Sequence, residues 1–323
     1  MGNEIINIAV WGIGNHAKKN LLPAISSSNK YNLYGVLTRD RNTIEDIIRE
    51  YKCCSWDSSE AMLADSNLDV VFLSTPPALH FNQGMNILQA NKHLYCEKPL
   101  TTDIDFAHQL ISFAEERGLA VFEALMYQYH PHFLKLKNMV INEEILNIQS
   151  ISSNFGLPTL DKPGYRDKKE LGASCLLDVG IYPISLIYNL FHHMKIDVIN
   201  TTRKLDKHNA FDVSGSAHLL LDSKINCNLQ WSYNSSYRNE IDIWGENIGL
   251  YSYKIFSKEN DYTPSLEIRD SNGNISSRVI DSANHYQLMI DYFAEIISNE
   301  TKYKGLHHET LGLSKLIHQI QEK

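Results

Sequence analysis

The chain has 323 residues, 43% of them hydrophobic and 21% charged, and a formal net charge of −8. That length favours two domains of ordinary size, and the composition excludes a disordered, collagen-like or coiled-coil chain. With an acidic balance and no Lys/Arg cluster, the attraction behind non-specific nucleic-acid binding is missing, so no nucleic-acid partner is expected.

The first residues, MGNEIINIAVWG, place an acid where a signal peptide needs a basic start. No stretch reads as the roughly 20 apolar residues that span a bilayer, so no membrane partner is expected. Five cysteines, Cys53, Cys54, Cys96, Cys175 and Cys227, lack C-x-x-C spacing and fit reduced thiols in a cytoplasm.

From residue 5 to about 125, short apolar runs (INIAVWG, YNLYGVLT, LDVVFLSTP, HLYCEKP, AVFEAL) alternate with amphipathic stretches. Strands of four to eight residues interleaved with longer helices indicate βαβ units and a parallel sheet, so residues 1–125 read as a doubly wound α/β domain. A helix is expected near 130–142. Thereafter longer alternating segments such as VSGSAHLLLD, INCNLQWSYN and NEIDIWGENIGLYSY, with a turn signal at Asn272-Gly273, predict an antiparallel sheet. A helix over 175–191 and amphipathic helices near 284–298 and 308–321 flank it, giving an α+β domain over 126–323. No internal repeat is visible.

Directly after the first strand, GIGNHA sets Gly12, Gly14 and Ala17 in G-x-G-x-x-A spacing, with Asn15 and His16 between them. The first glycine turns tightly, the second lets backbone approach a pyrophosphate, and the small third residue lets helix pack on strand. The phosphates then meet the free N–H groups of a helix N-terminus. At the end of the second strand stand Thr38 and Arg39, a hydroxyl and a guanidinium suited to a 2′-phosphate, so NADP(H) is preferred. Asp40 follows by one residue and could serve a ribose, which keeps NAD(H) possible.

Ligands of open α/β sheets bind beyond the carboxyl ends of the strands, and two such ends are unusual. Ser74-Thr75-Pro76 closes one with a rigid turn. Glu97-Lys98-Pro99 closes another with a charged pair on a nearly buried strand, either a structural ion pair or a working lysine. His80 either lines the cofactor or simply opens a helix.

The stretch GASCLLDVGIYPI puts Asp178 and Tyr182 one turn apart on one helix face. Gly180 costs about 1 kcal/mol there relative to alanine, which a close approach of ligand or backbone would explain. A Tyr near a Lys can exchange a proton with a carbonyl or alcohol oxygen, because an ammonium favours the phenolate. The pairs His130-Pro-His132, His192-His193 and His307-His308 lack nearby acids or thiols at ligand spacing, so no metal is expected and these histidines read as solvated or cofactor-side.

The order G-x-G-x-x-A, T-P-x-x-x-H, E-K-P and D-x-G-x-Y resembles the glucose-fructose oxidoreductase and inositol dehydrogenase (Gfo/Idh/MocA) family over nearly the whole chain. The resemblance implies a Rossmann domain followed by an open antiparallel-sheet domain, with the active site between them and the sheet commonly used to form a homo-oligomer, a dimer or tetramer. By it, Lys98 stands near the reacting oxygen, Asp178 positions substrate hydroxyls and Tyr182 donates or accepts the proton. The cofactor-side residues would be Gly12, Gly14, Asn15, His16, Ala17, Thr38, Arg39, Ser74, Thr75, Pro76, His80, Glu97, Lys98 and Arg166. In EALMYQYHP, Tyr127 and His130 would contact substrate. The stretch NFGLPTLDKPGYRDKKELG is most similar to nucleotide-linked deoxysugar 3-ketoreductases, with Tyr165 and Arg166 near substrate or cofactor; Tyr182 in place of a histidine is also similar to dihydrodiol dehydrogenases. Two departures stand out: Gly172-Ala173-Ser174 replaces a triple glycine, and Gln128 stands where Arg is frequent.

The expected function is therefore NADP-dependent reduction of a sugar ketone, with a nucleotide-linked keto-deoxysugar as substrate. The alternatives are oxidation of a free sugar, inositol or dihydrodiol, and a non-catalytic dinucleotide-binding regulator.

Overall fold

A computed structural model describes residues 5–40, 44–207 and 211–323. The chain divides into two compact units, one made of 1–126 and 286–311, the other of 127–285 and 312–323.

The first unit opens with β1 (Ile6–Trp11), a helical turn at Ala17–Leu21 that continues as α1 (Leu22–Ser27), β2 (Tyr31–Leu37), α2 (Ile44–Tyr51), β3 (Cys54–Ser55), α3 (Ser59–Leu63) and β4 (Val70–Leu73). Next come α4 (His80–Gln89), β5 (His93–Glu97), α5 (Ile104–Glu116) and β6 (Val121–Ala124). The six strands pair in the order β3-β2-β1-β4-β5-β6, all parallel. That is the doubly wound order whose direction of winding reverses beside β1. The strand β4, VVFL, is buried along its length, as a strand covered by helices on both faces must be. In α5 the Asp103 carboxylate accepts from the Asp105 N–H at 2.8 Å, and Ala107, Leu110, Ile111 and Ala114 recur at helical spacing on its buried side.

The second unit begins with α6 (Pro131–Ile141) and β7 (Ser150–Gly156). A wide helical turn, Leu176–Gly180, then runs into α7 (Ile181–Phe191). The strands β8 (Ile196–Leu205), β9 (Asp212–Leu221), β10 (Ile225–Ser232), β11 (Arg238–Trp244), β12 (Ile248–Tyr253), β13 (Ser265–Asp270) and β14 (Ile275–Val279) complete an eight-stranded sheet in the order β14-β13-β12-β11-β7-β10-β9-β8. Every pairing is antiparallel except β7 with β10. Strand β10 alternates strictly, with Ile225, Cys227, Leu229 and Trp231 buried and Asn226, Asn228 and Gln230 exposed, which fixes its register. The expected turn at Asn272-Gly273 joins β13 to β14: Gly273 sits at φ +84°, and Asp270 accepts from the N–H groups of Asn272 and Asn274.

Several details depart from the sequence expectations. The run Lys169–Phe191 is long and apolar enough by composition to cross a bilayer, yet 78% of its apolar window is buried within the unit, so its apolarity is that of a core helix. Of the C-terminal helices expected to flank the antiparallel sheet, only His285 and residues 312–323 fall in the second unit. Most of α8 (His285–Ile296) and the first half of α9 (Glu300–Glu322) belong to the first unit. There Phe293 packs between Tyr95 and Phe122, at centroid distances of 4.5 and 4.8 Å. His307, expected to be solvated or cofactor-side, is buried; its Nε2 accepts from the Val121 N–H at 2.9 Å and its Nδ1 lies 3.0 Å from Glu115.

Candidate active site

In the first unit, the expected cofactor residues gather where β1, β4 and β5 end. Gly12 has φ +100°, and a Cβ there would lie 2.6 Å from the Ser74 carbonyl oxygen, so the turn between β1 and β4 admits only glycine. Gly14, by contrast, has nothing within 4 Å of where a Cβ would stand, leaving the open approach that a pyrophosphate requires. Ala17 is fully buried. Arg39 is exposed beyond β2, and Thr38 Oγ1 accepts from the Asp40 N–H at 3.3 Å, shaping that turn. These residues fit a dinucleotide.

His16 donates from Nε2 to Glu97 at 3.0 Å while its Nδ1 accepts from Asn20, and its ring meets the edge of Tyr286 at 5.4 Å. Burial pushes the Glu97 carboxyl upward, but the charges of His16, Lys98 and His80 outweigh it and hold Glu97 below the usual carboxylate range. Thr75 donates to Gln83 at 2.6 Å.

His80 is the first residue of α4. It is buried, with Nδ1 2.8 Å from the Pro99 carbonyl and Nε2 2.8 Å from the Thr75 carbonyl, so both ring nitrogens are engaged by backbone. Burial lowers its pKa, against the pull of the two carbonyls.

In the second unit, Asp178 is the hub. Its carboxylate accepts from Tyr165 Oη at 3.0 Å, Arg166 Nε at 2.5 Å, Arg166 Nη2 at 3.3 Å and Tyr233 Oη at 2.9 Å, and only 3% of its side chain is exposed. In this structure its carboxylate serves a guanidinium and two phenols of the same unit. Arg166, expected at the cofactor, is held bidentate on Asp178 beside the Tyr165 ring. Burial opposes its charge, but Asp178, Tyr165 and Tyr233 reverse the effect and raise its pKa. Burial first, then the Asp178 charge, raises Tyr233.

Tyr182 lies on α7 among Phe155 at 5.1 Å, Phe256 at 5.6 Å and Tyr127 at 6.0 Å, an aromatic wall that fixes the plane of its ring. Tyr127 and His130, expected to touch substrate, are both fully buried in the chain. The Tyr127 hydroxyl lies 2.9 Å from Ser185 Oγ. His130 caps α6, its Nδ1 accepting from the His132 N–H at 2.9 Å.

The departure at Gly172-Ala173-Ser174 has a structural use. Gly172 keeps a left-handed φ of +89°, while Ser174 donates to Asp212 at 2.6 Å and accepts from the Leu177 N–H at 3.2 Å. Asp212 also accepts from the Leu176 N–H at 2.6 Å, so the helix start is pinned to β9. Gly180 likewise has a protein explanation: a Cβ there would stand 2.8 Å from Cδ2 of Trp231, whose indole also covers Gly215. Sequence reasoning missed Tyr233, Asp212 and Trp231, since their partners lie dozens of residues away and no local spacing marks them.

Two family descriptions cover most of the chain: "Oxidoreductase family, NAD-binding Rossmann fold" (GFO_IDH_MocA) over residues 6–125 and "GFO/IDH/MocA C-terminal domain" over residues 133–251. Among curated relatives, a dTDP-3,4-didehydro-2,6-dideoxy-alpha-D-glucose 3-reductase of Actinomadura kijaniata is 23% identical over 316 residues, 98% of this chain and 95% of the relative. A D-xylose 1-dehydrogenase (NADP(+)) of Haloferax volcanii is 24% identical, covering 97% of this chain and 95% of its own. Among solved structures, KijD10, a 3-ketoreductase from Actinomadura kijaniata in complex with NADP and TDP-benzene, superposes with a TM-score of 0.93 at 22% identity, covering 99% of this chain and 98% of that one. With a glycine turn built for a dinucleotide at its start and both family domains matched along its length, the chain belongs to the Gfo/Idh/MocA family of oxidoreductases.

Proposed function

We propose that the protein is an NADP(H)-dependent ketoreductase acting on a nucleotide-linked keto-deoxysugar. One observation carries this reading: the likeness to a dTDP-sugar 3-reductase runs over 98% of the chain, which itself carries Lys98 in E-K-P and Tyr182 in D-x-G-x-Y. Thr38 and the exposed Arg39 guanidinium support the choice of NADP(H), because they offer a hydroxyl and a bidentate cation to a 2′-phosphate.

Bound at the Gly12–Ala17 turn, the dinucleotide supplies the hydride that reduces the carbonyl carbon. The chain's part is acid–base and positional. Tyr182 gives its phenolic proton to the carbonyl oxygen as that oxygen gains charge, and Lys98 is the lysine proposed to assist that transfer. Arg166, held by Asp178 and with about a third of its side chain exposed, is available to the sugar's diphosphate. The five cysteines are all free thiols, in keeping with a reducing cytosolic compartment, and the open eight-stranded sheet is proposed as the surface of a homo-oligomer.

The test starts with fluorescence titrations of NADPH and NADH, followed by turnover of dTDP-linked keto-deoxysugars. Preference for NADPH, turnover of the keto-sugar, and loss of turnover in Lys98→Ala and Tyr182→Phe with cofactor binding kept are the expected results. Oxidation of xylose or another free sugar in place of that reduction would favour the second reading, which the equally long likeness to a xylose dehydrogenase supports. Cofactor binding without turnover of either class would indicate a regulator.

A further inference from the structure

The turn that carries Lys98 is fastened by groups outside the motif that defines it. The Leu100 N–H donates to Glu123 Oε1 at 2.7 Å. The Leu100 carbonyl lies 3.8 Å from the buried Cys96 thiol. The carbonyl of Pro99 meets His80 Nδ1 at 2.8 Å, and the other nitrogen of the same ring meets the Thr75 carbonyl on the neighbouring strand end. Three side chains, from β6, β5 and α4, therefore address the two peptide groups 99–100 and 100–101 just beyond the lysine.

Glu123 is the unexpected member. It stands on β6 opposite Cys96, in a strand whose neighbours Phe122 and Ala124 are buried, where a carboxylate is costly to keep. Burial pushes its carboxyl up to about 7, against the Leu100 N–H and the charge of Lys98, and with Glu97 adding to the rise. A residue retained at that cost where a hydrophobe would pack has a task, and its partner is the peptide two residues beyond Lys98.

We propose that Glu123 and His80 are positioning residues that clamp the Pro99 and Leu100 peptide groups, so that Lys98 presents its ammonium in one orientation at the carboxyl end of β5. His80 also stands between two strand ends, its ring nitrogens 2.8 Å from the Pro99 and Thr75 carbonyls, to one of which a neutral imidazole donates at a time. This inference rests on the reading of Lys98 as the working lysine of the reductase.

The experiment uses the full chain, its lysines dimethylated with 13C-formaldehyde and the Lys98 resonance identified by its disappearance in Lys98→Arg. In Glu123→Ala the Lys98 resonance is expected to move towards the position of solvent-exposed lysines. Glu123→Gln, whose side-chain carbonyl still accepts from Leu100, should restore it. Turnover of a dTDP-keto-deoxysugar should fall roughly ten- to a hundredfold in Glu123→Ala, with NADPH affinity unchanged, and return in Glu123→Gln. A Lys98 resonance that stays in place in folded Glu123→Ala, or that moves as far in Glu123→Gln as in Glu123→Ala, overturns the clamp. If Glu123→Ala does not fold, His80→Gln is read in the same way. A wild-type protein that reduces no keto-sugar defeats the functional reading alone, because the resonance decides the clamp without substrate.

Discussion

The Tyr233 hydroxyl donates to Oδ2 of Asp178 at 2.9 Å, joining the end of β10 to the start of the α7 helix across 55 residues of chain. Together with the Tyr165 hydroxyl it braces the carboxylate that anchors the Arg166 guanidinium. Replacing Tyr233 by Phe removes one hydrogen bond to a charged acceptor and should cost about 1.5–3 kcal/mol in urea unfolding. Asp178→Ala should cost more, roughly 3–5 kcal/mol, because it strands the Arg166 charge. Equal losses in the two variants would show that the carboxylate does not hold the arginine.

The two glycines of the first turn should respond differently to alanine. Gly12→Ala forces a Cβ onto the Ser74 carbonyl and a side chain into positive φ, so it should destabilise the fold by about 1–3 kcal/mol and weaken NADPH binding as a consequence. Gly14→Ala meets no protein atom, so thermal unfolding of the free protein should be unchanged while the dissociation constant for NADPH rises, the methyl group standing where the pyrophosphate approaches. Calorimetry with and without NADPH separates the two.

Gly180→Ala would ordinarily gain helix propensity of about 1 kcal/mol. Here the new methyl group lands 2.8 Å from Trp231, and overpacking of that kind costs about 1–3 kcal/mol, so a net loss in urea stability is expected. The double variant Gly180→Ala with Trp231→Phe should lose less than the sum of the single changes, because the smaller ring vacates part of the space.

Acid should loosen the second unit before neutral pH is far behind. Burial, with Lys258 adding to it, depresses His130 to about 3 and His132 to about 2 from an ordinary value of 6.5. Both must be neutral in the folded state, so their contribution is complete above pH 6.5 and is lost as the pH falls towards 3. The slope approaches about 1.4 kcal/mol per pH unit for each histidine. His130→Asn keeps a cap for α6 and should flatten that slope by about half in urea midpoints recorded from pH 7 to pH 4.

What could be read from the sequence was whatever depended on neighbours along the chain. Gly12, Gly14 and Ala17 announced their turn because three constraints fall within six residues, and the alternation of Ile225 to Trp231 announced a half-covered strand. Gly180 was misread because its constraint is an indole 51 positions on, and the burial of Tyr127 and His130 was invisible because an aromatic and a histidine beside a cleft motif look alike whether they line a surface or fill a core. The allegiance of α8 was invisible for the same reason: its amphipathic stripe says that it packs, and nothing in it says that Tyr95 and Phe122 are the surface it packs on.

That allegiance bears on how such a protein can be divided. The chain passes between its two units three times, after residues 126, 285 and 311, so neither unit corresponds to one continuous stretch of the gene. A fragment ending at residue 126 would expose the aromatic surface that Phe293 covers, and a fragment starting at 127 would carry helices whose apolar faces have lost their seat. A chimera with a relative that exchanges only the first 126 residues mismatches that seam. One that also carries 286–311 from the same parent keeps it intact, which makes the returning segment the piece to move when the two units are recombined.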